Sequence, residues 1–324
     1  AITLNNRAPV LTAPVGFTVD EGQVFQLPTP RFTDSGIFDS HSVLVDWGDG
    51  QSEQATVFAN AGSGIASASH AYADDGSFFI GITVSDDDSA SDSVLVPVTV
   101  RNLPPEIQSL GGQLSGAEGA SLIFAAVATD PGADTLTYTW DFGDGSDPVS
   151  GTDLASVEHL FAGDGIYAVQ LTVSDEDGGS TTAELTVSVS DVAARMLVSG
   201  PASVEEAAVY TLTLGEIVDL GNDPISGIQV DWGDGISEMY PSPAAIEHIY
   251  PDGPFVTNIT VSLIDQFNTV IPLANLPVAV QNVAPILDTI LIPATAQEGA
   301  SVAFSASASD TTEDTLTYAW DFGD

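Results

Sequence analysis

Apolar and polar residues alternate along most of the chain with a period of two, as in strands that have one buried face. The runs FFIGITVSDDD, YAVQLTVSDED and FVTNITVSLID show this alternation and are rich in β-branched residues. Gly, Asp and Pro return about every 8–12 residues, a spacing typical of turns between short strands. We find no convincing amphipathic helix. The pattern therefore predicts an all-β protein built of sandwiches.

A long internal repeat organises the strands. The segments DWGDG, DFGDG, DWGDG and DFGD begin at residues 46, 141, 231 and 321. HAYADDG, HLFAGDG and HIYPDG follow the first three, and each unit closes on a β run and a linker. The predicted units are residues 7–102, 103–191 and 192–283, with residues 1–6 as the last strand and linker of a preceding unit and residues 284–324 as the first half of a fourth. Because the sequence begins and ends inside units, we expect a longer parent array.

The composition limits the partners of the chain. There are 46 acidic residues against four Arg and no Lys, giving a net charge of −42 and a pI near 4.1. Such a chain repels nucleic acid and anionic membrane surfaces, so cations are its natural partners. No run approaches the roughly 20 apolar residues of a membrane span. The absence of Cys removes disulfides and thiolate metal sites.

The order W-D-F-G-D-G, H-x-Y/F, D-G-x-Y and L-T-V-S-D resembles the PKD (polycystic-kidney-disease-like) domain family. The resemblance covers essentially the whole chain in three full units. It implies tandem immunoglobulin-like (PKD-type) β-sandwiches in a linear array, in an extracellular or cell-surface protein. Family members are often adhesion or spacer modules, or accessory modules of secreted hydrolases. The third unit departs most, since LIDQFNT (263–269) replaces the acidic turn of the others.

The repeated landmark residues are predicted to be structural. Trp and the corner aromatics Tyr72, Phe161 and Tyr250 supply apolar area to small cores, and the G-D-G segments form tight turns. His70, His159 and His248 each fall in a different unit and cannot converge on one site. Asp141 and Asp144 could be mistaken for a glycosidase pair, but they return in every unit. The sequence contains no motif of a nucleophile, a metalloprotease or a phosphate-binding loop, so we expect no catalytic site.

The topology implied by the resemblance brings acidic loops together at each linker. A Glu from the preceding unit would meet Asp pairs from the top loops of the next unit. The predicted ligands are Glu21, Asn102, Asp130, Asp134, Asp175 and Asp177 at the first junction, Glu118, Asp191, Asp219, Asp223 and in addition Asp265 at the second, and Glu205, Asn282, Asp310 and Asp314 at the third. Oxygen donors without a soft ligand suit Ca²⁺. The alternative is that these acids serve turn chemistry and adaptation to salt.

Two functions remain open at this stage. The first is a structural or adhesive stalk, fibre or surface filament, whose partners are other repeats or copies of the same protein. In a variant of it, a neighbouring chain supplies the strands missing from the fourth unit. The second is an accessory module of a secreted protease or polysaccharide hydrolase. That function needs an exposed aromatic platform or groove, and the candidates outside the repeat pattern are few, namely Met239-Tyr240 and Phe267.

Overall fold

All regular elements in the described part of the protein are strands. The computed structural model describes residues 5–12, 14–221, 223–311 and 314–323. Within these residues no helix is long and apolar enough to cross a membrane. Residues 1–4, most of the predicted strand that would end a preceding unit, lie outside the described part of the chain, as does Asp324. The all-β prediction is confirmed.

The first repeat contains eleven strands. They are β1 (Val10–Thr12), β2 (Phe17–Asp20), β3 (Phe25–Gln26), β4 (Arg31–Thr33), β5 (His41–Asp46), β6 (Ser52–Gln54), β7 (Thr56–Asn60), β8 (Ser63–Ser67), β9 (Ser69–His70), β10 (Gly76–Asp86) and β11 (Ser91–Arg101). One sheet has the order β1-β4-β8-β7 and a second the order β2-β11-β10-β5-β6, while β3 pairs with β9.

The next two repeats use eight strands each. The second has β12 (Glu106–Gly112), β13 (Ser115–Ala117), β14 (Ser121–Thr129), β15 (Thr137–Asp141), β16 (Val149–Gly151), β17 (Ser156–Leu160), β18 (Gly165–Ser174) and β19 (Ser180–Ser190). The third has β20 (Arg195–Ser199), β21 (Ser203–Glu205), β22 (Val209–Val218), β23 (Ile225–Asp231), β24 (Ser237–Tyr240), β25 (Ala245–Ile249), β26 (Phe255–Asp265) and β27 (Val270–Gln281).

The sheets of these two repeats have the same strand order. It is β12-β14-β17 beside β13-β19-β18-β15-β16 in the second repeat, and β20-β22-β25 beside β21-β27-β26-β23-β24 in the third. In the fourth repeat β28 (Ile286–Leu291) pairs with β29 (Ser305–Ser309). The strands of every sheet thus fall inside one predicted repeat.

Alternation along the strands places the predicted aromatics in the cores. Strand β10 buries every second residue from Ile80 onward, and the same alternation runs along its partners. Trp47, Trp140 and Trp232 are at most 1% exposed, and the corner aromatics Tyr72, Phe161 and Tyr250 are equally buried. Relative to the G-D-G turn, Trp140 lies two positions earlier in the chain than Trp47 and Trp232.

The chain divides into two compact units. The first comprises the described residues of Ala1–Gly116, Ser121–Leu160 and Ile166–Ser188; the second comprises those of Ala117–Ala120, Phe161–Gly165 and Val189–Asp324. The acids of the first repeat junction all belong to the first unit, and those of the second and third junctions all belong to the second.

Candidate metal centres at the repeat junctions

A buried glutamate follows the short strand that pairs with the last strand of each complete repeat. Glu21, Glu118 and Glu206 are 0%, 1% and 2% exposed. Each backbone N–H donates to the last residue of that final strand, with N···O distances of 3.2, 3.0 and 2.8 Å. The next residue has a positive φ, at +65° for Gly22, +69° for Gly119 and +57° for Ala207. This turn directs each glutamate towards the linker.

The two oxygens of each glutamate have different surroundings. Oε1 accepts a hydrogen bond from the second linker amide, which is Leu103 N–H at 2.7 Å, Val192 N–H at 2.8 Å and Val283 N–H at 2.6 Å. Oε2 is buried and has no hydrogen-bond partner among the described residues in any of the three. A buried carboxylate oxygen without a donor is costly, so each junction presents an oxygen suited to a cation.

The third of these glutamates corrects the sequence-based choice of Glu205. Glu205 is the last residue of β21, pairs with Gln281 and has an exposed side chain. Successive residues of a strand point to opposite faces, so a shift of one residue moves the carboxylate away from the linker. The spacing from the preceding valine gives the position correctly: Glu21 and Glu206 each come two residues after Val19 or Val204.

The first junction gathers most of its predicted residues. Carboxylate oxygens of Asp130, Asp134 and Asp175 lie within 4.8 Å of one another. Asn102 Nδ2 donates to Asp175 Oδ2 at 3.1 Å, and Asn102 Oδ1 is buried without a partner among the described residues. Asp130 Oδ1 accepts from Gly132 N–H at 2.8 Å, but its Oδ2 has no such donor, and neither oxygen of Asp134 has one.

Two acids of this junction were missed in the sequence. Asp74 lies within 4.8 Å of Glu21 and Asp134, and it also forms a triad with Asp75 and Asp177. Both belong to the segment HAYADDG, which the sequence marks only as a fold landmark. Ala73 explains the contact, because its carbonyl accepts a hydrogen bond from Ala133 N–H at 2.7 Å and so holds this loop against the next repeat.

Crowding of carboxylates perturbs the first junction electrostatically. Burial and the charges of Glu21, Asp130, Asp74 and Asp177 raise the pKa of Asp134 to about 6. Burial raises the pKa of Glu21 above its ordinary value despite the Leu103 hydrogen bond, and Asp130 adds to the effect. Ionised forms are therefore disfavoured in the absence of a countercharge.

The second junction contains a similar set of acids. Glu118, Asp191 and Asp223 lie within 4.8 Å of one another, and burial followed by nearby acids raises the pKa of both Glu118 and Asp223. Asp219 Oδ1 accepts from Gly221 N–H at 3.2 Å. Asp265 holds its own turn by accepting from Phe267 and Thr269 at 2.7 Å. Asp191, Asp219, Asp223 and Asp265 line one cavity of about 240 Å³.

The predicted upper half of the third junction is organised by Thr311. Its N–H donates to Asp310 Oδ1 at 2.9 Å and its hydroxyl donates to Asp314 Oδ2 at 3.2 Å. Asn282 is exposed and donates to the carbonyl of Val283 at 2.8 Å. Val283 also donates its N–H to Oε1 of Glu206, so Asn282 and Glu206 both contact this linker residue.

The upper end of the first repeat contains a similar group of acids, except that Asp34 lies 2.9 Å from Nε2 of His41. Carboxylate oxygens of Asp34, Asp39 and Asp86 lie within 4.8 Å of one another, and Asn6 donates to Asp86 Oδ2 at 2.8 Å as Asn102 does to Asp175. The sequence contains these loops, FTDSGIFD and SDDDS, but no metal site was predicted there.

The repeated histidines are structural, as predicted. His70, His159 and His248 place Nε2 at 2.7, 2.8 and 2.7 Å from the aspartate between the two glycines of their own G-D-G turn. Each ring stacks on the aromatic residue before that turn, with centroids 4.6, 3.7 and 4.5 Å apart. The turn aspartates also accept backbone N–H groups, as Asp141 does from Gly143 and Asp144 from Ser146. These carboxylates therefore hold turns rather than face a substrate.

The donor chemistry of the junctions fits a hard divalent cation. Carboxylate and amide oxygens are the available ligands, and Ca²⁺ takes six to eight oxygens in flexible geometry. Among the described residues, Arg101 forms an ion pair with Asp20 at 2.6 Å, and His41 pairs with Asp34. His70, His159 and His248 pair with turn aspartates, so none of these ion pairs involves an acid of the three junctions. The positive charge that these acids lack can come from a bound cation.

Comparison with known proteins agrees with the repeat pattern. The PKD domain family model matches residues 102–189 and 282–324. Over 109 residues the chain is 32% identical to a microbial collagenase of Vibrio alginolyticus, covering 33% of this chain and 13% of that protein. Over 184 residues it is 30% identical to human polycystin-1, covering 56% of this chain and 4% of that protein. The chain thus spans only a small part of the length of these relatives.

Among solved structures, the chain is similar to the PKD domain of an M14-like peptidase from a Thermoplasmatales archaeon. The two are 26% identical, and the match covers 28% of this chain and 98% of that domain with a TM-score of 0.24.

Proposed function

Because this chain carries PKD domains, we propose that it is a non-catalytic structural or adhesive segment of a longer extracellular protein, stiffened by Ca²⁺ at the junctions between its repeats. The observation that carries the proposal is the recurrence of one arrangement. In each of three junctions a buried glutamate accepts a hydrogen bond from a linker amide through one oxygen, while its other oxygen has no partner in the described part of the chain. Turn chemistry alone accounts for neither the burial nor the free oxygen.

The energetic argument follows from burial. A carboxylate taken out of water is costly unless it is paired, and the first junction adds further carboxylates at close range. A divalent cation would offset both the burial and the mutual repulsion. Each glutamate would then bind the linker N–H through one oxygen and the cation through the other, which would restrict the motion of the linker.

The expected free energy of calcium binding favours a role in stiffening the linkers. Extracellular calcium modules bind at roughly 0.1–1 mM. In a medium of roughly 10 mM calcium, each site would stabilise the bound geometry by about 1.4–2.7 kcal/mol. This is a modest part of a domain's stability of about 5–15 kcal/mol. It is large compared with the free energy differences between the orientations open to a linker of two or three residues.

The surroundings of such a segment follow from its charge. At a net charge of −42 the chain would stay dispersed and would need cations or high salt to bring its repeats close together. We place it outside the cell, as a stalk, fibre or surface filament whose neighbours are other repeats or copies of the same protein. We expect this segment neither to bind nucleic acid nor to insert directly into a membrane.

The test is a calcium titration of the whole chain at fixed high salt, with magnesium as the control ion. Thermal unfolding and small-angle scattering are followed together. We expect calcium in the micromolar to millimolar range to raise Tm and lengthen the particle. The variant with Glu21, Glu118 and Glu206 all changed to Gln should lose both responses, whereas Glu205→Gln should keep them. If the wild-type chain shows neither response, calcium stiffening is wrong.

A second function is favoured by the similarity to a microbial collagenase. In that case the chain would be an accessory module beside a catalytic domain. Phe267 and Met239 are 79% and 56% exposed and could contact a polymeric substrate. Pull-down of the whole chain on insoluble collagen and on polysaccharides, with Phe267→Ala as the variant, tests this function. Binding that the variant loses would favour it over the stalk.

A further inference from the structure

We propose that the first junction binds two cations that share Asp134 as a bridging ligand. This inference rests on the proposed function, because it specifies how many ions one of the proposed sites holds. One ion would lie among Glu21, Asp74 and Asp134, and the other among Asp130, Asp134 and Asp175.

The geometry of Asp134 carries the inference. Its carboxylate belongs to two separate groups of three acids, in each of which the ligand oxygens lie within 4.8 Å of one another. Both of its oxygens are buried and neither has a hydrogen-bond partner among the described residues. A carboxylate with two free oxygens between two acid groups can give one oxygen to each ion.

Each ion would also find a second free oxygen in a different residue. On the first side this is Oε2 of Glu21, a side chain that is 0% exposed and whose Oε1 is already bonded to Leu103 N–H. On the second side it is Oδ2 of Asp130, whose Oδ1 is bonded to Gly132 N–H. Asn102 Oδ1 adds a neutral oxygen near Asp175. The free oxygens therefore divide between two positions.

The negative charge of the two acid groups also favours the binding of more than one ion. The two groups together contain five different carboxylates, Glu21, Asp74, Asp130, Asp134 and Asp175, with a formal charge of −5. One divalent cation would leave −3, whereas two would leave −1. None of the five forms an ion pair with Arg or His within the described ranges. Like charges at this range repel strongly when they are partly buried.

Counting bound calcium on the whole chain tests the inference. Equilibrium dialysis with radioactive calcium at saturation gives the number of ions for the wild-type protein and for four single variants. We expect Asp134→Asn to lose two ions relative to the wild-type chain. Glu21→Gln and Asp130→Asn each remove a ligand of one ion, so each should lose at least one. Asp153→Asn, in an exposed turn and in neither of these two acid groups, should lose none.

The outcomes separate the two proposals. If Asp134→Asn loses only one ion, the bridge is wrong and a single calcium site remains. If Asp134→Asn, Glu21→Gln and Asp130→Asn lose none, calcium binding at this junction is wrong altogether. Thermal unfolding in chelator checks that every variant folds, which we expect because Asn and Gln keep the size of the side chain. Energy transfer from bound Tb³⁺ to bound Eu³⁺ gives a second readout, and it should disappear in Asp134→Asn.

Discussion

Glu21 Oε1 accepts a hydrogen bond from Leu103 N–H at 2.7 Å, although 82 residues separate them in the chain. The bond joins the end of β2 in one repeat to the linker that leads into the next. Because Glu21 is fully buried and its other oxygen has no donor among the described residues, the linker and the candidate cation site share one side chain. Occupation of the site would therefore act directly on the linker.

The adjacent pair Glu205 and Glu206 provides a matched test of this relationship. Glu206→Gln should remove up to about 1.4–2.7 kcal/mol of the stabilisation that roughly 10 mM calcium gives to the third repeat. Glu205→Gln should leave it unchanged, because the side chain of Glu205 is exposed on the other face of β21. Calcium-dependent thermal unfolding of the whole chain measures both. Equal losses in the two variants would contradict the placement of Glu206.

Gly22 is predicted to tolerate no side chain. Its φ is +65°, and an added Cβ would lie 1.8 Å from the carbonyl oxygen of Pro131. Gly22→Ala should cost about 1–2 kcal/mol for the left-handed conformation and about 1–3 kcal/mol more for displacing the neighbouring loop. Gly50→Ala is the control, since Gly50 has a φ of +93° with nothing within 4 Å of the added atom. Chemical denaturation should show the larger loss for Gly22→Ala, and equal losses would argue against the close approach.

The raised pKa of Asp134, about 6 against an ordinary value of 3.8, predicts a pH dependence in chelator. The native state holds this proton more tightly than the unfolded state, so the contribution of Asp134 to stability falls as pH rises from about 4 to above 6. Tm in EDTA should therefore decrease over this window, and the decrease should be smaller in Asp134→Asn. With calcium bound, protons compete with the ion and calcium affinity should fall below about pH 6. An identical pH profile for the variant and the wild-type chain would rule out this role of Asp134.

The corner tyrosine of the first repeat should contribute measurably to stability. Tyr72 OH donates to the carbonyl of Trp47 at 2.8 Å in the buried core. Tyr72→Phe leaves that carbonyl without its donor and should cost about 1–3 kcal/mol. Tyr240→Phe, whose hydroxyl bonds to Glu238 near the surface, should cost less than the core variant. Urea denaturation followed by tryptophan fluorescence compares them, and a neutral Tyr72→Phe would show that the corner bond is not needed.

Much of the metal-site hypothesis could be predicted from the sequence because the acids lie in loops that recur in each repeat. Asp130, Asp134 and Asp175 were all expected at one junction, and the structure brings them together. Glu205 was chosen over its neighbour Glu206, although the spacing from the preceding valine is the one that Glu21 has and indicates Glu206. Asp74 was missed because it lies next to a fold landmark, and its approach to Asp134 depends on how one repeat's loop meets the next.

The sequence by itself determined the all-β class, the repeat of about ninety residues and the structural roles of the tryptophans, corner aromatics and histidines. These follow from local periodicity and from residues that return at fixed spacing. Only the tertiary structure decided that one oxygen of each of three glutamates has no hydrogen-bond partner among the described residues and that Asp134 lies between two groups of acids. Those facts depend on strand register and on contacts between loops that are distant in the chain, where a shift of a single residue reverses the direction of a side chain.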